Sequence, residues 1–239
     1  MGESTVISWT GKTWNPWVGC LKVSPGCDNC YMYRDRRRYG QDGAAIRRTA
    51  PATFNAPTKW PRSLIFTCSW SDFFLAQADD WRPEAWGIIE RTPQHTYQIL
   101  TKRATRMLSW SQEHGWPDHC WAGVSVESGK YLHRRDVLRQ VPAQHRFLSL
   151  EPLLEDLGEL NLEGIGAVIV GGESGPGFRP MGLEWAKDVR DQCIAAGVFF
   201  HFKQSAGPRS GQGRLLDGRL WDGWPQTNGV ATVGINDHE

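Results

Sequence analysis

Six short apolar segments recur along the chain, and each ends in a polar tip. They are Leu64–Cys68, Thr96–Leu100, Trp121–Val124, Arg146–Leu150, Ala167–Val170 and Val198–Phe202. Strands this apolar are buried on both faces, which is the signature of a parallel sheet. Parallel neighbours need crossover connections, and helical patterns occur between them. A helix is predicted over Arg82–Arg91, with Pro83 suited to its first turn. Others are predicted over Tyr131–Val141 and over Leu183–Ala196, the latter closed by Gly197. The expected fold class is α/β, a partial or complete (β/α) TIM-like barrel, with an open doubly wound sheet as runner-up. The weak strand Val6–Trp9 would add an N-terminal unit. Residues 1–205 are expected to form the barrel domain, and 206–239 a Gly- and Trp-containing extension that frays after Pro225.

A length of 239 residues suits one such domain. Lys and Arg total 27 against 26 Asp and Glu, so net charge mandates neither nucleic acid nor membrane. No apolar run approaches the roughly 18 residues of a membrane span. Met1–Thr10 shows no basic segment leading into an apolar one. A cytoplasmic location is therefore expected. The 13 Trp are assigned mostly to packing, with Trp14, Trp17 and Trp70 placed near the site.

Cys20, Cys27 and Cys30 fall within eleven residues, in a C-x6-C-x2-C arrangement with Pro25 and Gly26 supplying the turn. In a reducing compartment such a cluster reads as a metal site before a disulfide framework. Soft thiolates select zinc or an iron–sulfur cluster. No second C-x2-C and no His at zinc spacing completes a four-ligand zinc site. Three thiolates suit a 4Fe–4S cluster with one iron left open, and reduced unliganded thiols remain the third reading. Cys68, Cys120 and Cys193 are read as core, Cys68 being the candidate exception because it ends a strand.

In a parallel α/β fold the site lies at the C-terminal ends of the strands. Those ends carry Ser69, Asp72, Lys102, Arg103, Ser125, Glu127, Glu151, Glu173, Lys203 and Gln204. The run Gly171-Gly172-Glu173-Ser174-Gly175-Pro176-Gly177 could present backbone N–H groups to an anion. Arg34, Arg36, Arg37 and Arg38, interleaved with Tyr31, Tyr33 and Tyr39, form a local basic stretch that would track a phosphate backbone. The competing reading is a solvated helix face.

The segments Ile7-Ser8-Trp9-Thr10, Thr13-Trp14-Asn15-Pro16, Gly19-Cys20 and Ser24–Tyr31 resemble a largely uncharacterised family of phage and bacterial proteins described as radical-SAM-like. The resemblance continues through Ser69–Phe74, Leu100–Arg103, Gly123–Glu127, Leu150–Pro152, Gly171–Ser174, Lys203-Gln204 and Leu216–Arg219. It implies a partial TIM barrel in which Cys20, Cys27 and Cys30 hold a 4Fe–4S cluster. S-adenosylmethionine would chelate the open iron, and its reductive cleavage would give a 5′-deoxyadenosyl radical that abstracts hydrogen. Ser69, Asp72, Lys102, Ser125, Glu127, Glu151, Gly171, Gly172 and Glu173 would bind that cofactor. The chain departs from the superfamily in its wide first cysteine gap and in a Gly-Gly-Glu that follows a late strand. Catalytic residues stay unassigned. The implied substrate is a nucleic acid or nucleoside, with an electron donor as partner. The rival reading is a non-catalytic iron–sulfur or zinc module engaging nucleic acid or a host protein; a third is a redox protein whose cluster takes four protein ligands.

Overall fold

The computed structural model describes Thr5 and residues 7–225. Seven strands lie side by side in chain order: β1 Lys12–Trp14, β2 Leu64–Thr67, β3 Thr96–Thr101, β4 Cys120–Ser125, β5 His145–Leu150, β6 Ala167–Gly171 and β7 Phe199–Gln204. Every adjacent pair is parallel. The sheet curls into a half-barrel whose first and last strands are not joined. β2, β4 and β6 are buried along their whole length, which explains their continuous apolar character.

Among the described residues five helices have six residues or more: α1 Tyr31–Arg38, α2 Arg82–Arg91, α3 Ala104–His114, α4 His133–Leu138 and α5 Leu183–Ala195. α2 has its proline in the first turn, and Gly197 after α5 sits at φ 66°, the left-handed geometry expected there. The helix predicted over Tyr131–Val141 is shorter, because the chain enters it through a 3-10 turn at Gly129–Tyr131. α3 buries Ala104, Met107 and Ser111 at helical spacing, a pattern too polar to stand out in the sequence. Among the described residues no helix is long and apolar enough to cross a membrane.

The N-terminal strand is not where the sequence suggests. Ile7–Trp9 forms a turn, and Val6 lies outside the described residues. β1 is the three-residue segment Lys12–Trp14, paired in register with Ile65–Thr67. Backbone pairing with β2, not an apolar run, makes it a strand. The irregular stretch expected over Gly40–Pro61 contains a ladder of Arg47–Arg48 with Trp17–Val18, a helical turn at Pro51–Phe54 and a 3-10 turn at Ala56–Lys59.

Two apolar layers flank the sheet. The larger packs Ile65, Ile99, Leu148 and Val168 against helix residues such as Ile88, Met107 and Val189. The smaller fills the concave side with Trp9, Phe66, Trp121, Phe147, Ile169 and Trp224. Trp9 packs at a tilt against Phe66 with ring centres 4.6 Å apart, and the Trp121 ring centre lies 5.5 Å from that of Trp224. Gly123 leaves room for this: a Cβ there would lie 2.3 Å from the Phe147 ring. Trp14 and Trp17 belong to the helix-side core, a correction to their expected place beside the site; Trp70 does line the cavity described below.

The segment after residue 205 returns to the sheet. Leu215–Leu216 and Arg219–Leu220 form a hairpin whose turn residues, Asp217 and Gly218, both have positive φ. Phe202 N–H bonds Trp221 O, and Trp224 completes the concave aromatic plug. The expected fraying after Pro225 falls outside the described residues.

Candidate functional site

Above the aromatic plug the concave face turns polar, and a cavity of about 520 Å³ opens at the C-terminal ends of the strands. That volume is in the range of small-molecule sites. Cys20, Cys27 and Cys30 all line it, as do Ser69, Asp72, Lys102, Ser125, Glu151, Gly172 and Glu173. Glu127 and Gly171, also expected at the cofactor, do not reach the cavity surface.

The cysteine loop is built by local geometry. Gly19 has φ 91°, and a Cβ there would lie 2.4 Å from Ala45 O, so only glycine lets the loop leave β1's crossover at this point. Cys20 N–H bonds Gly43 O, and the Tyr33 hydroxyl donates to Cys20 O. Pro25–Cys27 forms a 3-10 turn, with Cys27 N–H bonding Ser24 O. Cys30 is the residue from which α1 starts. Burial, then the Asp72 carboxylate, pushes the Cys20 thiol up to about 12, while Arg103 pulls it down. Burial also raises Cys30, against the pull of the Met32 and Tyr33 backbone N–H groups. Among the described residues no three His, Cys, Asp or Glu side chains are arranged to hold a single metal ion.

Three strand-tip carboxylates clamp this loop to the barrel, one near each cysteine. Asp72 accepts from Phe74 N (2.9 Å) and Thr101 Oγ1 (2.7 Å) at one oxygen. Its other oxygen takes Lys102 N (3.0 Å) and Arg103 Nη1 (2.9 Å), and Arg103 Nη2 reaches Leu21 O, beside Cys20. Glu127 is fully buried and takes Lys102 Nζ at 3.2 Å and Arg134 Nη1 at 3.0 Å. A Cβ on Gly26, next to Cys27, would lie 3.1 Å from the Glu127 side chain, so the loop rests directly on it. Burial alone would raise the Glu127 carboxyl; Lys102, the nearby Ser24 hydroxyl and Arg134 outweigh it and hold it below the usual range. Its Oε1 nevertheless accepts no bond of good geometry. Glu173 accepts Asn29 Nδ2, beside Cys30, at 2.8 Å, together with three donors of Arg179. Arg179 Nη2 also bonds Pro25 O at 2.8 Å.

Three of the carboxylates expected at the cofactor therefore hold the loop as well, two of them from the cavity lining. The oxygens of Asp72 and Glu173 are filled by protein donors, and Glu127 is closed off beneath the loop. The Gly-Gly-Glu run is likewise no open anion cradle: Gly172 N–H bonds Gln204 O and Gly175 N–H bonds Gly207 O. Its glycines are required by close approach, since a Cβ on Gly172 would lie 2.2 Å from Ala206 N. Glu151 differs from the other tip carboxylates. It faces the cavity and pairs with Lys203 Nζ at 3.0 Å.

The basic stretch divides. Arg36 is 1% exposed and donates to Asp42 O, so it is unavailable to a phosphate. Its place four residues after buried Met32 was the legible sign of an inward face. Arg34 lines the cavity and donates to Ser174 O at 2.8 Å. Arg37 and Arg38 are exposed. Cys120 and Cys193 are core, as read; Cys68 is buried yet also borders the cavity. Arg134 and Arg179 escaped the sequence reading, because nothing local marks an arginine that folds back onto a strand tip.

A family model described as a protein of unknown function, DUF5131, matches residues 4–225. The chain belongs to the DUF5131 family. The matched region of this DUF5131 protein takes in the cysteine loop, all seven strands and their tips. No curated protein and no solved structure matches it significantly.

Proposed function

We propose that this DUF5131 protein is a radical-SAM-like iron–sulfur enzyme on a partial TIM-type barrel, acting on a nucleic-acid or nucleoside-derived substrate. The observation that supports this reading is the meeting of Cys20, Cys27 and Cys30 on one wall of a ligand-sized cavity at the strand C-termini. The donor set fits a 4Fe–4S cluster: three soft thiols from one loop, all in the lining of the same cavity. Such a cluster holds each thiolate on a different iron, so it asks for wider spacing than a single zinc ion. Once bound and reduced, the group would supply the electron that cleaves the sulfonium of S-adenosylmethionine and starts hydrogen abstraction at a substrate carbon.

The chain's own residues would do the rest. Lys102 and Arg103 bring positive charge beside Cys30 and Cys20, offsetting thiolate charge in a buried setting. The clamps on Leu21, Gly26 and Asn29 would hold the three sulfurs at fixed separation. Trp9, Phe66 and Leu100 form an apolar floor that keeps water from the reacting atoms. Arg37 and Arg38 stand free to meet substrate phosphates.

Anaerobic reconstitution, iron and sulfide analysis, and EPR of the dithionite-reduced protein with and without S-adenosylmethionine test this reading. The expected result is a cluster whose signal changes on addition of the cofactor and is lost in Cys27→Ala. Retention of the signal in Cys68→Ala, Cys120→Ala and Cys193→Ala would exclude a fourth protein thiol. A signal indifferent to the cofactor overturns the enzyme reading in favour of a non-catalytic cluster module. Zinc without iron overturns the cluster itself.

A further inference from the structure

We infer that the Glu151–Lys203 pair is a subsite for a ligand presenting an ammonium and a carboxylate side by side, the arrangement of an α-amino-acid group. This goes beyond the cluster reading and does not depend on it. Glu151 follows β5 and Lys203 lies on β7, so the two reach toward each other across the tip of β6. Their charged atoms are 3.0 Å apart. Gly171 permits the crossing, since a Cβ there would lie 2.4 Å from Glu151 Oε1. Both residues line the cavity, and their side chains keep 15% and 26% of their surface exposed.

The pair is the part of the strand-tip charge that protein contacts leave open. Asp72, Glu127 and Glu173 are occupied in holding the cysteine loop. Glu151 has, besides Lys203, only a long contact from the Ser149 hydroxyl at 3.4 Å. Lys203 has no other hydrogen-bond or ion-pair partner among the described residues.

An ion pair at a half-desolvated wall selects its ligand by charge pattern. A lone anion gains Lys203 but meets Glu151; a lone cation meets the reverse. A neutral ligand that separates the pair returns neither interaction. A ligand with both signs replaces each half of the pair with an equivalent one. In an α-amino acid the two charged groups flank a single carbon, a spacing that matches the pair. Ile7, Phe66 and Leu100 line the same cavity and offer an apolar wall to the rest of the ligand. The sulfonium cofactor also carries an amino-acid group; the inference commits to a further ligand, an amino acid distinct from that cofactor and from the nucleic-acid substrate proposed above, and the test separates it from the cofactor.

The test titrates the full-length protein with L-leucine, isoamylamine (no carboxylate) and isocaproate (no ammonium), followed by NMR shift changes. Leucine is expected to bind at least about tenfold more tightly than either analogue. Glu151→Gln should weaken leucine about tenfold and tighten isocaproate, while Lys203→Met should shift preference toward isoamylamine. A purely structural pair would not invert the charge preference. Absence of saturable leucine binding by the wild-type protein overturns the inference, as does equal affinity for all three probes, and neither result needs a variant to fold. S-adenosylhomocysteine is the competitor: if it alone loses affinity in Glu151→Gln, the subsite serves the cofactor and the assignment to a separate amino-acid ligand falls.

Discussion

Glu127 lies without exposed surface beneath Gly26, between Lys102 and Arg134. Glu127→Ala leaves two largely buried cations without their shared partner, a change expected to cost about 3 kcal/mol. Glu127→Gln keeps the shape and should lose less. Urea denaturation of both variants checks the order; equal stability of Glu127→Ala and wild type would mean that the cations escape to water. Gly172→Ala tests a different kind of constraint, because the new methyl would meet backbone rather than a side chain that can turn away. A loss of about 2 kcal/mol is expected by the same denaturation measurement. At this scale the sequence was partly legible. Residue chemistry marked the three cysteines and the polar tips, and the cavity gathers them. It did not show which tip carboxylates hold the loop and which one pairs with a lysine at the cavity wall. That depends on donors such as Arg134 and Arg179, which arrive from outside the strand they serve.

The cysteine loop behaves as an element of its own, tied to the barrel by Arg103, Glu127 and the Glu173–Arg179 strap. Arg179→Ala removes the bond to Pro25 O and the Nε and Nη2 donors that hold Glu173. The backbone N–H survives that substitution, so two side-chain contacts to the carboxylate are lost. The arginine is one-third exposed, and its ion pair therefore contributes little to global stability. The expected outcome is faster amide exchange across residues 24–30, with a melting temperature within a few degrees of wild type. Unchanged exchange there would show that the turn at Pro25–Cys27 holds the loop unaided. Elements with strong local signals were readable in advance, as α2, α5 and the six apolar strands show. β1 was not, because Lys12–Trp14 is a strand only by virtue of β2 beside it. α4 begins later than its sequence pattern suggests because the 3-10 turn at Gly129–Tyr131 leads into it.

The last strand of the half-barrel carries a buried histidine. His201 on β7 bonds the Ser8 hydroxyl at 2.8 Å through Nε2, and its Nδ1 has no partner. Burial pushes its pKa down from 6.5 to about 4, against the weaker pull of Asp222 and Glu151. The unfolded chain therefore takes up a proton below about 6.5 that the folded chain refuses until about 4. Stability is full above that window and falls as the pH drops through it, by up to about 3 kcal/mol. His201→Gln should flatten the melting curve's dependence on pH between those limits; an unchanged acid slope would assign the loss to other groups. The sequence by itself determined the alternation of apolar strands and crossovers, and with it a parallel sheet whose tips carry the polar chemistry. Burial on both faces imposes that pattern locally, so it can be read locally. Only the tertiary structure decided that the sheet stays an open half-barrel, that Trp9 and Trp224 plug it from opposite ends of the chain, and that three of four tip carboxylates serve the cysteine loop. Those outcomes rest on contacts between residues far apart in sequence, where no local periodicity records the partner.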